Sequence, residues 1–473
     1  MAYEVEEAKK LVIEAGLRLL NEGLIVRTWG NISARISDTQ FVITPSGRGY
    51  TDLTPDDIVV VDIKKCTYEG NIKPSSECGI HADVFAKRPE VNFIIHTHQV
   101  YASVVSVLGQ DIELSEEEKT FLGERIPCAT YGMSSTPKLR KQVKKCLRKS
   151  AGCSSMLLRN HGVLCMGTDF ENAFEISSVM EQICKYNYEN LVSGFSAINP
   201  VAFLEDTTEV SNEINATAQM NEAVSVEEKD AAVLGETTVS SEEEALVTTN
   251  EETAVTDEVS SDAESVGADE IAESTEAAGT DDIKEDGYID YGTSFIEGDE
   301  ITLTLKDKEY KYKLGDKKPI SKSIFSRGKN KIALLHSRIY EDRKVSHIYQ
   351  VTLPNIVDAS SKIEKGFPAY IDDQAQIVGE YVKCVGKIGK KPHFESASSI
   401  AKGLKGKNAV LVAGQGAIVT GNSEEDLEAT AYVLEKGCMA AKLAVCHPEA
   451  KSVPKRIAKK EREFYLETYS RLK

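Results

Sequence analysis

The chain has 473 residues, of which 41% are hydrophobic and 28% charged, so it is long enough for two or three domains. No apolar run approaches the ~18 residues of a membrane span, and the N-terminus lacks the pattern of a signal peptide. The ten cysteines show no CxxC spacing, so we expect reduced thiols and a cytoplasmic protein without membrane partners. The formal net charge is −19, yet residues 205–286 contain 26 acidic residues and two lysines, and the remainder carries +5. That weak positive charge excludes a nucleic-acid-binding surface.

The first 200 residues alternate between helical and extended patterns. Residues 4–22 place apolar side chains on one helical stripe that stops at Gly23. Further helices are predicted over residues 75–87, from residue 99, over 139–147 and over 170–191. Strands are predicted at residues 41–44, 58–62, 91–96, 155–159 and 163–166. This order predicts a mixed α/β domain over residues 1–205.

Residues 206–286 have a different composition. They are rich in Ser, Thr, Ala and Glu and contain almost no aromatic residues. Such a segment cannot bury enough apolar surface to offset its ordering entropy, so we predict a disordered acidic linker. An acidic segment that recruits a partner is the alternative.

Residues 287–473 repeat the pattern of the first domain. The run AVLVAGQGAIVTG (409–421) matches SMLLRNHGVLCMG (155–167), and SHIYQV (346–351) falls where FIIHTH (93–98) does, at offsets of 253 to 254 residues. A second, related domain is therefore predicted over residues 287–473.

The strongest chemical signal is a pair of histidines at the end of an apolar strand, His96 and His98. Side chains at i and i+2 of a strand point to one face, so the two imidazoles converge. The tight turn Asn160-His161-Gly162 between two apolar strands offers a third. Three neutral imidazoles do not reduce the positive charge of a zinc ion, and they leave its fourth coordination position open, as in catalytic sites. For the first pair alone, partly exposed histidines are the alternative.

Three short motifs could bind a phosphate group. PSSE (74–77) begins a predicted helix with a serine as its N-cap, and the free N–H groups of a helix N-terminus bind phosphate. GNIS (30–33) and TPSG (44–47) are interpreted as small-residue turns that present backbone N–H groups and a hydroxyl or amide. A plain capping motif and simple turns are the alternatives.

The order of the motifs GNIS, TPSG, SSE, HTH and NHG resembles the class II aldolase/adducin family, most closely its L-fuculose-phosphate aldolase branch, over roughly residues 5–200. The resemblance implies an α/β/α layered domain with a mainly antiparallel central sheet, repeated twice with a degenerate second copy. It implies that zinc, or another divalent metal, is held by Glu77, His96, His98 and His161, with Glu77 also the general base in turnover. It implies that the phosphate of a sugar phosphate is bound by Asn31, Ser46, Gly47, Ser75 and Ser76.

The activity that the resemblance implies is that of an aldehyde-lyase. It would cleave a ketose phosphate such as fuculose 1-phosphate to dihydroxyacetone phosphate and an aldehyde, with the metal stabilising the enediolate. A sugar-phosphate epimerase or dehydratase of the same family is an alternative. Another is a non-catalytic, adducin-like interaction module, but a scaffold has no need of three converging imidazoles and a carboxylate.

The sequence departs from the family pattern in two ways. Residues 111–127 lack the tyrosine that donates a proton in this branch; Tyr131 is a candidate that also fits a packing role. In the second copy Tyr349, Val351 and Gln415 are predicted to replace the ligand histidines, and a residue near Ile332 replaces Glu77, so this copy should hold no zinc.

The family also predicts how the two copies associate. Its members commonly form four-fold symmetric assemblies with active sites at subunit interfaces, so we expect a homo-oligomer in which the second copy forms a wall beside the zinc. The C-terminal helix around residues 461–472, with Tyr465 and Tyr469, is the candidate to reach across.

Deletion of about residues 215–280 should leave folding and catalysis nearly unchanged, because a highly acidic segment without apolar anchors contributes little to either core. Thermal denaturation and activity of the shortened chain test this. A large fall in the melting temperature would contradict the interpretation of this segment as a linker.

Overall fold

The structure, a computed structural model, describes residues 2–26, 29–203, 288–317, 320, 327–389 and 394–467. The predicted linker and Tyr469 lie outside these residues. We call residues 2–203 the N-terminal region and residues 288–467 the C-terminal region; both belong to one compact unit. Among the helices described, none combines the length and apolar character needed to cross a membrane.

The N-terminal region is built on a seven-stranded sheet in the order β3-β2-β1-β4-β9-β8-β7. All neighbouring strands in it are antiparallel except the pair β7–β8. The strands of this region are β1 (Gly30–Arg35), β2 (Gln40–Ile43), β3 (Val59–Asp62), β4 (Phe93–Thr97), β5 (Ile112–Glu113), β6 (Arg125–Ile126), β7 (Cys128–Ala129), β8 (Ser155–Leu158), β9 (Gly162–Gly167) and β10 (Val201–Ala202). The helices are α1 (Val5–Asn21), α2 (Cys78–Lys87), α3 (Val100–Val105), α4 (Glu116–Leu122), α5 (Pro137–Lys149) and α6 (Phe170–Leu191).

Strand alternation divides the core into two layers. Ile95 packs with α1, α3 and α6 on one face of the sheet, whereas Ile94 packs with α2 and α5 on the other. Successive side chains of a strand point to opposite faces, so one strand contributes to both cores. The expected α/β/α layering is thereby confirmed.

Two local predictions are wrong. GNIS is not a turn, because Gly30–Arg35 forms strand β1, which pairs with β2 on one edge and with β4 on the other. Helix α2 begins at Cys78, three residues later than predicted, with Glu77 rather than a serine at the N-cap position. The backbone N–H of Ser75 bonds to the carbonyl of Thr44 at 2.9 Å, which keeps this serine outside the helix.

The C-terminal region repeats this architecture. Its eight-stranded sheet has the order β13-β12-β11-β14-β19-β18-β17-β16, in which the first seven strands follow the order of the N-terminal sheet. The strands are β11 (Thr293–Glu297), β12 (Glu300–Leu305), β13 (Lys308–Lys313), β14 (His347–Val351), β15 (Ile363–Glu364), β16 (Gly366–Pro368), β17 (Tyr381–Val385), β18 (Ala409–Val412) and β19 (Gly416–Gly421). The helices are α7 (Arg327–Asp342), α8 (Pro354–Lys362), α9 (Ala397–Leu404), α10 (Glu424–Cys446) and α11 (Lys455–Glu467).

Sheet register corrects the alignment of the two copies. His96 pairs with Leu164 in the first sheet, and Gln350 pairs with Ile418, the residue 254 positions further on, in the second. The residue equivalent to His96 is therefore Gln350 and not Tyr349, and the same offset places Thr352 rather than Val351 at the position of His98. Gln415 stays the equivalent of His161. The error arose because offsets of 253 and 254 residues were both compatible with the sequence. A shift of one residue moves every side chain of a strand to the opposite face of the sheet.

The two regions contact each other through secondary structure as well as side chains. β10 at the end of the N-terminal region pairs in parallel with β15, and α10 packs against α3. These contacts place α10 and the segment that follows β16 beside the carboxyl end of β4.

Candidate metal centre

Three histidines and a glutamate converge at the carboxyl end of β4. His96 lies on β4 with its side chain on the same face as Ile94, the face covered by α2, and Glu77 stands immediately before that helix. His98 follows the strand, and His161 lies in the turn between β8 and β9. One ligand atom from each of the four residues lies within 4.8 Å of the others. Residues far apart in the sequence are thus brought to one point.

The distances within this cluster are short. The Nε2 atom of His96 lies 3.1 Å from Nε2 of His161 and 3.1 Å from Oε2 of Glu77. The Nε2 atom of His161 lies 3.4 Å from Oε1 of Glu77. The rings of His96 and His161 are stacked, and that of His98 stands edge-on to both. The nitrogen atoms of the two stacked rings therefore face a shared point at the carboxylate.

The donor set fits a divalent cation. Three imidazoles and one carboxylate are the ligands found in catalytic zinc sites. The Nδ1 atom of His96 donates to the carbonyl of Val163 at 2.8 Å, which leaves Nε2 free of a proton and able to bind a metal. Among the described residues, the buried Nδ1 atom of His98 has no hydrogen-bond partner. A bound cation would give this nitrogen atom the partner that the described residues do not provide.

The electrostatics of the cluster favour an ionised Glu77 beside a protonated His161 and a neutral His98. Burial acts to lower the pKa of His161, but the charges and hydrogen bonds of Glu77 and Asp372 outweigh it and hold this pKa well above its usual range. Burial acts to raise the pKa of Glu77, but the charges and hydrogen bonds of His161 and His96 outweigh it and hold this pKa well below its usual range. Burial, together with repulsion from the other two rings, lowers the pKa of His98. The amide of Asn31 and the backbone N–H of Ser135 also donate to Glu77, at 3.4 and 3.2 Å.

His81, one turn into α2, supports the site without joining the cluster. Its Nε2 atom donates to Oδ1 of Asn31 at 2.5 Å, and its Nδ1 atom accepts from the hydroxyl of Ser33 at 2.6 Å. Burial lowers the pKa of His81 to about 3, so the ring is neutral and its two nitrogen atoms have opposite roles. His81 therefore orients the amide that faces Glu77. His336 makes the equivalent bond to Ser294 in the C-terminal region.

The predicted phosphate-binding residues lie on neighbouring segments. The turn at residues 44–47 is joined to residues 73–75, because Pro45 bridges Pro74 and the N–H of Ser46 donates to the carbonyl of Lys73 at 3.0 Å. Gly47 follows in this turn with a φ of 72°, a conformation that suits glycine. Ser75 is buried, whereas the hydroxyl of Ser76 bonds to that of Ser135 at 2.7 Å. Asn31 is buried beside Glu77. Phosphate binding by these five residues stays a prediction.

Sequence analysis missed four charged residues of the C-terminal region that border the cluster: Asp372, Asp373, Lys436 and Glu461. All four are nearly fully buried. They were missed because nothing in their local sequence distinguishes them from surface charges. Their position is set only by the packing of the two regions. These residues therefore form part of the wall beside the cluster.

Asp372 and Lys436 make the closest approaches. Oδ2 of Asp372 lies 3.0 Å from Nδ1 of His161, and Oδ1 accepts from the hydroxyl of Tyr131 at 2.8 Å. The ammonium group of Lys436 donates to the carbonyl of His98 at 3.0 Å and pairs with Asp373. Tyr131 thus faces a carboxylate near the cluster of histidines, and it is not only a packing residue.

Comparison with known proteins gives the family. The model of the Class II Aldolase and Adducin N-terminal domain matches residues 10–188 and again residues 311–441. This chain belongs to that family and contains its domain twice.

Individual relatives each correspond to about one copy. The chain is 37% identical over 165 residues to a 5-methylthioribulose-1-phosphate/5-deoxyribulose-1-phosphate aldolase of Escherichia coli, covering 35% of this chain and 73% of the relative. It is 27% identical over 203 residues to a 5-deoxy-D-ribulose 1-phosphate aldolase of Bacillus thuringiensis, covering 43% and 94%. The crystal structure of L-fuculose-1-phosphate aldolase from Thermus thermophilus matches with 26% identity and a TM-score of 0.34, covering 40% of this chain and 97% of that one.

Glu461 gives a pH-dependent prediction. This buried residue of α11 accepts hydrogen bonds from Ser134 and Gln376, and burial, with the negative charge of Asp372, raises its pKa to about 7. The pKa of Glu461 is higher in the folded than in the unfolded protein. The protonated side chain therefore stabilises the fold fully below the ordinary pKa of a glutamate, and this stabilisation is lost as the pH rises through about 7. Glu461→Gln should therefore lose less stability than the wild type between pH 5.5 and 8.

Thermal denaturation at the two pH values measures this effect. The matched control is Glu463→Gln on the exposed side of the same helix, which should keep the wild-type dependence on pH. Equal behaviour of Glu461→Gln and the wild type would show that Glu461 does not titrate in this range.

Proposed function

We propose that the protein is a zinc-dependent aldehyde-lyase that cleaves a ketose 1-phosphate, such as fuculose 1-phosphate, to dihydroxyacetone phosphate and an aldehyde. The observation that carries this proposal is the convergence of three imidazoles and one carboxylate within 4.8 Å, buried next to a chain of oriented polar groups. A non-catalytic module would not need these groups to remain together. Two of the relatives described above bear names of sugar-phosphate aldolases, which supports the same reaction class.

The proposed chemistry assigns Glu77 the proton transfer. A divalent cation held by His96, His98 and His161 would supply Lewis-acid stabilisation of the negative charge that develops on the substrate oxygens. Glu77, ionised and held by Asn31 and Ser135, accepts the proton of the substrate hydroxyl next to the carbon–carbon bond that breaks. The electron pair of the broken bond stays on the fragment that carries the phosphate. A proton delivered to that carbon then completes dihydroxyacetone phosphate.

The proposed phosphate subsite fixes the other end of the substrate. The turn at residues 44–47 and the segment at residues 73–77 are joined by the Pro45–Pro74 bridge, so the hydroxyl groups of Ser46, Ser75 and Ser76 can face one anion. Asn31 links this subsite to Glu77. All ketose 1-phosphates have the same phosphate end. The contacts of the protein with the other end, which becomes the aldehyde, would therefore determine which ketose phosphate is cleaved.

A product screen tests the reaction. The metal-replete full chain is incubated with a set of ketose 1-phosphates and assayed for release of both an aldehyde and dihydroxyacetone phosphate, with and without a chelator. Chelator-sensitive release of both products is the expected result. An isomeric ketose phosphate would indicate an epimerase, loss of water a dehydratase, and no turnover of any substrate by metal-loaded protein would favour an interaction module.

We expect one tightly bound divalent metal ion per chain, most readily zinc. Among the described residues the cluster at Glu77 is the one group able to hold it, since the equivalent positions of the C-terminal region carry Gln350, Thr352 and Gln415. Elemental analysis of purified protein measures the ratio. Two equivalents per chain, or none after growth with ample metal, would contradict the assignment.

Glu77→Gln should retain much of the metal and lose most of its turnover, by about 10²- to 10⁴-fold, because three imidazoles still coordinate while the base is gone. His98→Ala should lose both. Metal content and steady-state rates are measured together, with Glu171→Gln, an exposed residue of α6, as the control. Wild-type rates for Glu77→Gln would refute the mechanism.

A further inference from the structure

The turn that carries His161 is held in place by the C-terminal region. Asn160 has a positive φ of 60°, and its side-chain amide donates to the carbonyls of Tyr370 and Lys451, both at 2.7 Å. In return, the backbone N–H of Asp372 donates to the carbonyl of Asn160 at 2.8 Å. Three hydrogen bonds between the two regions therefore fix the residue next to His161.

The carboxylate of Asp372 adds a direct contact to the ligand. Its Oδ2 atom accepts the proton of Nδ1 of His161 at 3.0 Å, while its Oδ1 atom accepts from Tyr131 at 2.8 Å. The side chain is 1% exposed, so water does not compete for these bonds. Both oxygen atoms are used, and both partners belong to the N-terminal region.

This contact determines which nitrogen of His161 is available. An imidazole that binds a metal ion is neutral and has one N–H, so a carboxylate that accepts from Nδ1 leaves Nε2 as the atom that can bind the ion. That atom faces Glu77 at 3.4 Å and His96 at 3.1 Å. His96 obtains the same orientation from the carbonyl of Val163 in its own region, whereas His161 obtains it from the other region.

The buried carboxylate next to Asp372 is neutralised by a lysine. Asp373, the next residue, pairs with Lys436 of α10, which also donates to the carbonyl of His98. Two adjacent buried carboxylates would repel each other without such partners. The arrangement therefore allows Asp372 to remain beside His161.

We propose that Asp372 is a positioning residue of the metal centre: the C-terminal region, whose described residues form no ligand set of their own, supplies the carboxylate that fixes His161 in its metal-binding tautomer and holds the Tyr131 hydroxyl beside it. This rests on the proposed function only in that the cluster must bind a metal ion. One copy of the domain thereby supports the metal site of the other copy in the same chain.

Zinc affinity measures this role directly. The metal-free full chain is titrated with Zn²⁺ in competition with a chromogenic chelator, for the wild type, Asp372→Asn, Asp372→Glu and Tyr131→Phe. Asp372→Asn should bind zinc about tenfold to a hundredfold more weakly, as is usual on loss of the carboxylate behind a ligand histidine. Asp372→Glu should recover part of the affinity, and Tyr131→Phe should keep it, since its loss leaves the bond to His161 intact.

The matched control is Asp358→Asn. Asp358 pairs with Lys442 elsewhere in the C-terminal region and makes no contact with the cluster that the structure describes. This variant should bind zinc like the wild type. Equal affinities for Asp372→Asn and Asp358→Asn would overturn the proposal.

A measurement on the unaltered protein does not depend on whether any variant folds. The chain has eight histidines, so ¹⁵N-histidine labelling with zinc bound gives a spectrum that can be assigned. The proposal requires a proton on Nδ1 of His161 and none on Nε2; the reverse pattern would refute it. Failure of the wild type to bind zinc at all would instead contradict the proposed function.

Discussion

The central position of β4 is the constraint on which the rest of the site depends. Paired with β1 on one edge and β9 on the other, this strand has its register fixed on both sides, so the side chain of His96 can point only to the layer that contains α2. The same pairing places Asn31 of β1 directly opposite His96. Glu77 lies at the start of α2 on that layer, and the turn after β8 delivers His161 to the same edge. The convergence of ligands thus follows from sheet register.

Burial sets the second constraint, because a polar group without water needs a partner in the protein. The two copies satisfy it differently at equivalent positions. In the N-terminal region the imidazole of His96 uses one nitrogen for a backbone carbonyl and presents the other to the cluster. In the C-terminal region the amide of Gln350 accepts from the N–H of Tyr291 and donates to the carbonyl of Ile289. The polar groups of this amide are used within the core of its own region, and the described residues of this copy form no metal-binding cluster.

Duplication within one chain gives the two copies separate roles. One copy retains the ligands, and the other contributes buried charged residues that contact the ligand-bearing turn and strand end. In an assembly of identical chains every copy would have to meet both requirements, whereas covalently linked copies can diverge independently. The pairing of β10 with β15 and the packing of α10 on α3 keep these roles in a fixed relation.

The sequence by itself determined much of this protein. The apolar periodicities predicted most helices and strands of the N-terminal region, the repeat was visible at its long offset, and Glu77, His96, His98 and His161 were singled out by motif order. These features are local, or depend on spacing along the chain. The tertiary structure decided that Gly30–Arg35 is a strand rather than a turn, because pairing on both edges outweighs its small-residue composition. It also decided that Gln350, and not Tyr349, is equivalent to His96, since register is a property of paired strands. The role of Asp372 could not be predicted, because it lies 211 residues from His161 and their contact exists only after two separately patterned regions have packed together.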